Sequence, residues 1–193
     1  MTDIDIDLAD RNKAFDAQPC ICAVLTGARR RHPSGVYFQH IPIDPIDEMA
    51  VWDFKLAEQK GYFKVDLLHN SIYDRVRDEQ HLVNLLTTEP PWAAFTDRQI
   101  VSQLQQIGNH FDIVQMIKPQ CIEDLAVCIA LVRPGKSRLI GRSRPDIDQE
   151  LWAVDPHESD TDGKPYAYKR SHAIAYAASL IVQLNLMREH GSL

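Results

Sequence analysis

The sequence predicts an α+β protein, with a small mixed sheet from N-terminal strands followed by a mainly helical part. Three observations carry that reading. Strand patterns crowd the first 70 residues, beginning with the alternation Ile4-Asp5-Ile6-Asp7. Beyond residue 70 the apolar side chains fall at helical spacing. The strands come first and the longer helices after, so the layout favours α+β.

Residues 3–8 read as a strand, because successive side chains of a strand point to opposite faces. Ile4 and Ile6 then share one face, and Asp3, Asp5 and Asp7 the other. Residues 9–15 can open a helix. CICAVL at 20–25 is a buried strand, ended by the Thr26-Gly27 turn signal. A basic loop follows, and GVYFQHI at 35–41 is the next strand, broken by Pro42 and Pro45. Residues 50–61 form a short helix with Gly61 as its stop, and YFKVDLL at 62–68 is a further strand.

The helical part starts with residues 71–87, where Ile72, Val76, His81, Leu82 and Leu85 lie near helical spacing. Asp97, with Thr96, is an N-cap for a helix through Ile107. IEDLAVCIALV at 122–132 is apolar on most sides and should be a buried helix stopped by Arg133-Pro134-Gly135. DPHESDTDGKP at 155–165 reads as a polar loop. The Ala-rich stretch 167–188 is a helix by propensity.

With 193 residues, 45% of them hydrophobic and 25% charged, the chain can bury a real core in one domain, or one and a small appendage. No run of 18 apolar residues appears, which excludes a membrane-spanning helix by this criterion. The acidic N-terminus does not read as a signal peptide. Cys20, Cys22, Cys121 and Cys128 lack CxxC spacing and are expected as buried free thiols in a reducing cytoplasm; zinc is the lesser alternative. The net charge of −6 gives no global attraction to nucleic acid, but two local basic clusters could contact DNA. One is Arg29, Arg30, Arg31 and His32; the other is Lys136, Arg138, Arg142 and Arg144. Either cluster could equally be a solvated surface.

Asp66 sits between Val65 and Leu67 in a strand, where an acid is costly unless paired or bound to a cation. If its strand neighbours the first one, Asp3, Asp5 and Asp66 converge. Such a cluster repels itself unless a cation neutralises it. Two magnesium ions held by shared aspartates, about 4 Å apart, are a recurring device for phosphoryl transfer. The alternative is an exposed acidic strand and an unrelated, salt-bridged Asp66.

The order of several segments adds a resemblance. TDIDIDLADRNK resembles the P-D-I-D-I-D-F-x-D-R motif of the bacterial replicative DNA polymerases of the C family (DNA polymerase III alpha subunit). RRHPSGVYF resembles their palm segment H-A-x-G-V-V-I, and VWDFKLAEQKGYFKVDLL the segment that carries the third catalytic aspartate. VSQLQQIGN is similar to V-F-Q-L-E-S-x-G-M, and IKPQCIEDLAVCIALVRPGK to the fingers segment ending R-P-G-P. YAYKRSHAIAYAASLIVQLNLM resembles G-F-N-K-S-H-A-x-A-Y-A followed by an apolar helix. These six segments occur in the family's order and touch about half of the chain.

The resemblance implies a palm-like part over residues 1–70 and a fingers-like part over 71–193. It implies metal-dependent nucleotidyl transfer to DNA in replication, with DNA and a deoxynucleoside triphosphate as partners and no membrane. Asp3, Asp5 and Asp66 match the three catalytic, metal-binding aspartates, which would hold two Mg²⁺ or Mn²⁺ ions. Lys64, Arg133, Arg170 and His172 match positions expected to contact substrate phosphates; Arg133, Arg170 and His172 could instead be architectural. The candidates for DNA contact come from the basic clusters and not from the resemblance: Arg29, Arg30, Arg31, Lys136 and Arg138.

Departures from the pattern temper the expectation. Thr2, Gln105, Gln106, Lys136, Ala167 and Lys169 replace family residues. The Gly-Ser palm element that cradles the triphosphate, most of the thumb and part of the fingers have no counterpart in the sequence given. A second polymerase chain or a replisome protein could supply the cradle. Three expectations therefore stand: a miniature or split polymerase; a non-catalytic DNA- or replisome-binding relative, of phage or mobile-element origin; and a structural protein that reuses the fold.

Overall fold

The computed structural model describes residues 4–10, 12, 13, 15, 18–159, 165, 166 and 168–193. The chain divides into two compact units, residues 1–75 and 76–193. The first carries a four-stranded mixed sheet and the second is mainly helical, so the α+β expectation holds.

In the first unit the strands are β1 (Ile4–Leu8), β2 (Ile21–Val24), β3 (Arg31–Tyr37) and β4 (Val65–His69), in the sheet order β1-β4-β3-β2. β1 runs parallel to β4; the β4–β3 and β3–β2 pairs are antiparallel. Between β1 and β2, the described residues Asn12, Lys13 and Phe15 are helical. Helix α1 (Phe54–Gln59) starts at Asp53, whose carboxylate accepts from the N–H groups of Lys55 and Leu56. It stops before Gly61, which takes φ +88 and so uses the left-handed region open to glycine. A 3-10 turn, Ser71–Arg75, completes the unit.

Strand alternation gives this sheet two different faces. Val36, Val65 and Leu67 are buried on one, with Leu8, Phe15, Cys20 and Phe38 packed against them. Tyr37 and Ala23 are buried with Ile41, Ala50 and Ala57 of α1, flanked by Ile21, Trp52 and Tyr62. By register Tyr37 shares its face with Gly35 and Asp66.

β3 corrects one expectation. It begins at Arg31, four residues before the predicted start, and ends at Tyr37. Arg31 pairs with Val24 where an unbroken ladder would place Ser34, so the His-Pro-Ser-Gly segment is a bulge inside the strand and not a loop before it.

The second unit comprises α2 (Glu79–Thr87), a 3-10 turn at Trp92–Thr96, α3 (Arg98–Val101), α4 (Phe111–Ile117), α5 (Ile122–Leu131), a 3-10 turn at Pro134–Leu139, α6 (Arg144–Glu150), the hairpin β5 (Asp155–Ser159) and β6 (Pro165–Tyr166), and α7 (Arg170–Glu189). α5 is buried from Leu125 through Leu131 and packs on α7, as its apolar circumference predicts. Glu123 and Asp124 occupy its first turn, where they complement the helix dipole.

Three further expectations change here. The segment 71–87 splits into a 3-10 turn and α2, because Asp78 caps a fresh helix through His81 N–H. Asp97 caps as predicted, but α3 ends at Val101. Gln106 takes φ +62, and a Cβ at Gly108 would sit 2.8 Å from the Leu104 carbonyl oxygen, so the chain turns instead of continuing. The predicted polar loop at 155–165 contains β5 and β6, with Asp155 paired to Tyr166.

Candidate metal and phosphoryl-transfer site

β1 and β4 bring the predicted acids side by side. Asp5 is the register partner of Asp66, and Asp7 that of Leu68. In a parallel pair, register partners lie on one face of neighbouring strands about 4.8 Å apart. Asp5 and Asp66 are therefore adjacent on the face that also carries Gly35. Asp3 lies outside the described residues.

The two acids have different surroundings. Asp5 is exposed. The Asp66 side chain is 13% exposed, and both of its oxygens are engaged. Ser34 Oγ donates to Oδ1 at 2.7 Å. Lys64 Nζ donates to Oδ2 in an ion pair, from a side chain 12% exposed. Lys64 precedes Asp66 by two residues and so reaches the same face.

The bulge in β3 completes this pocket of polar groups. It turns both His32 and Ser34 toward Asp66. His32 Nδ1 accepts the Gly35 N–H at 2.8 Å and stands 3.6 Å from Asp66 Oδ1. Because a backbone N–H can only donate, Nδ1 carries the lone pair and the imidazole is the neutral tautomer with its proton on Nε2. The His32 ring also meets Phe54 of α1 edge-on at 5.6 Å. On the same face, burial pushes the Tyr37 hydroxyl up to about 12, with the charges of Asp53, Glu58 and Asp66 adding to it. Asp7 is tied elsewhere, accepting from Asn70 Nδ2 at 3.1 Å.

Carboxylates are the right donors for a hard divalent cation. Asp5 and Asp66 are the described residues placed to share one, although Asp66 already holds the Lys64 ammonium. Among the described residues no group of three or more His, Cys, Asp or Glu side chains is placed to hold a metal ion. The fit is thus to a carboxylate pair whose inner member carries a competing cation. Ser34 and Gly35 are the parts that strand periodicity missed; the Pro-Ser-Gly run inside an apolar strand was the available signal.

The other candidates lie in different places. Arg133, Arg170 and His172 belong to the second unit. Arg133 stacks on Tyr168 at 4.7 Å and donates to Tyr168 Oη and Gln106 Oε1. His172 is half-buried, its ring edge-on to Tyr168 at 6.5 Å, so Arg133 and His172 share a tyrosine. Arg170 is exposed at the first position of α7.

The basic clusters are largely closed on acids. Arg29 forks onto Asp47, approaches Asp44 at 3.2 Å and donates to the carbonyls of Ala50 and Val51, fastening its own loop. Arg30 is exposed, and Arg31 lies 5.5 Å from the Phe15 ring. Arg138 and Arg142 share Glu150, and Arg144 pairs with Asp124 and Asp148. Lys136 corrects its expectation: it is fully buried, its ammonium donating to the Ala153 carbonyl at 3.1 Å, so it cannot present a charge to DNA. The cysteines are free, as expected, but only Cys128 is buried; Cys20, Cys22 and Cys121 are partly exposed. No described helix is long and apolar enough to cross a membrane. Compared with known proteins, the chain matches no family model and no curated protein.

Proposed function

We propose that this chain is a palm-like protein, and that Asp5 and Asp66 are the described part of a divalent-cation site for nucleotidyl transfer to DNA. The supporting observation is the in-register pairing of Asp5 with Asp66 on neighbouring parallel strands. Mg²⁺ or Mn²⁺ at such carboxylates activates a hydroxyl and neutralises charge on a leaving pyrophosphate. In this reading Ser34 orients the Asp66 carboxylate, and Asp3 joins the set. DNA and a deoxynucleoside triphosphate are the substrates, in the cytoplasm, with a second chain supplying contacts to the triphosphate.

A second reading is a non-catalytic DNA- or replisome-binding relative. Its support is the Lys64–Asp66 ion pair, which neutralises the inner carboxylate without a metal. Incubation with a primed template, four deoxynucleoside triphosphates and Mn²⁺ separates the two. Primer extension that is lost in Asp5→Ala is the expected result. A salt-dependent DNA shift without extension carries the second reading instead. The absence of both extension and DNA binding would contradict both readings.

A further inference from the structure

We propose that Lys64 is a resident counter-ion of the carboxylate face: it holds Asp66 in place of a divalent cation, competes with one, and can do so because residue 35 is glycine. The idea rests on reading Asp5 and Asp66 as a cation-binding pair, but not on catalysis.

Placement is the first support. Asp66 is mostly buried and has a second carboxylate one strand away. Left without a cation, such a group is destabilised by lost solvation and by its neighbour's charge. Lys64 removes that penalty from within the same strand. Its own side chain is equally buried, and its ammonium lies 5.9 Å from the centre of the Phe54 ring, a second site of weak attraction for a cation.

Space is the second support, and it is independent of charge. A Cβ at residue 35 would fall 2.5 Å from Lys64 Cδ, 2.9 Å from its Cγ and 2.9 Å from His32 Nδ1. Non-bonded carbon atoms do not approach so closely. The lysine stem therefore lies across the gap left by the missing side chain. Gly35 does not have a positive φ, so its backbone makes no demand for glycine. Room for the lysine is what this position provides.

A cation that binds Asp66 Oδ2 meets the ammonium at the same oxygen, and repulsion between the two positive charges favours displacement of the lysine. The lysine has a flexible four-carbon stem and can swing to solvent. The face thus has two states, one closed by lysine and one holding a metal, and the first keeps the sheet charge-balanced when metal is scarce.

Thermal melting of the full chain across a Mn²⁺ titration tests this. Without metal, Lys64→Met should melt below the wild type. With metal it should rise further, with a midpoint at a cation concentration on the order of tenfold lower than the wild type. Gly35→Ala keeps the lysine but fills its resting place, so it should respond like Lys64→Met; if the Met variant does not fold, the Ala variant carries the test. Adding Asp66→Asn to either should abolish the gain. Equal midpoints in the wild type and both variants would overturn the proposal, as would a gain that survives Asp66→Asn. Loss of primer extension in the wild type leaves this competition intact, and equal midpoints leave the nucleotidyl-transfer reading intact, so the two fail separately.

Discussion

Asp5 and Asp66 are register partners across a parallel strand pair, yet one is exposed and the other is mostly buried with both oxygens engaged. That asymmetry predicts unequal consequences for the same chemical change. Asp66→Asn leaves the buried Lys64 ammonium without its carboxylate and should cost about 3–5 kcal/mol. Asp5→Asn, at an exposed position, should change stability by less than about 1 kcal/mol. Urea unfolding of both variants checks the order; an Asp5→Asn that is the more damaging of the two would contradict it.

A second prediction concerns the packing of α2 on α7. Asn185 is 1% exposed, and its amide donates to the Leu85 and Thr88 carbonyls at the end of α2. These carbonyls have no partner within the helix. Asn185→Leu conserves volume but strands both acceptors, and should destabilise by about 1–3 kcal/mol. A wild-type denaturation midpoint in this variant would show the bonds to be dispensable.

Tyr37 supplies a prediction in pH. Its hydroxyl is buried with no hydrogen-bond partner among the described residues, and its pKa is pushed from 10.0 up to about 12, first by burial and then by the charges of Asp53, Glu58 and Asp66. Between those values the folded state keeps a proton that the unfolded state has released. The contribution is fully present below pH 10 and is lost as pH rises toward about 12. Tyr37→Phe should therefore lose less stability over that window than the wild type. At neutral pH it should be as stable or more so, because an unsatisfied hydroxyl is removed without a change of shape. Parallel alkaline unfolding curves for the two proteins would contradict this.

Cys128 should be chemically silent in the folded protein. It is fully buried, and burial pushes its thiol up to about 12, with Asp124 adding to the effect. Cys20, Cys22 and Cys121 are partly exposed. Alkylation at pH 8 followed by peptide mass spectrometry should find Cys128 unmodified until denaturant is added. Rapid native labelling at Cys128 would mean that α5 opens readily.

What the sequence disclosed, and what it did not, follows from the range of each signal. The alternation at Ile4–Asp7, the Asp97 cap and the apolar α5 are local patterns, and each appears where predicted; the Asp53 cap is equally local but was not among the expectations. Asp66 beside Asp5 was legible as a consequence of strand adjacency. The β3 bulge was not, because its register is set by pairing with Val24 across a turn. Nor was the Lys64 ion pair, which depends on the gap at Gly35, one strand away. Ser143 and Pro145 opening α6 are a start signal of the same local kind. The burial of Lys136 is tertiary: a charge run marks a surface only if the fold leaves it there.

The most direct test of the central claim is Mn²⁺ binding to the intact chain, followed by the loss of the free-ion electron paramagnetic resonance signal. The expected result is saturable binding that tightens in Lys64→Met and is lost in Asp66→Asn. Binding that fails to saturate, or that Asp66→Asn leaves unchanged, would contradict it.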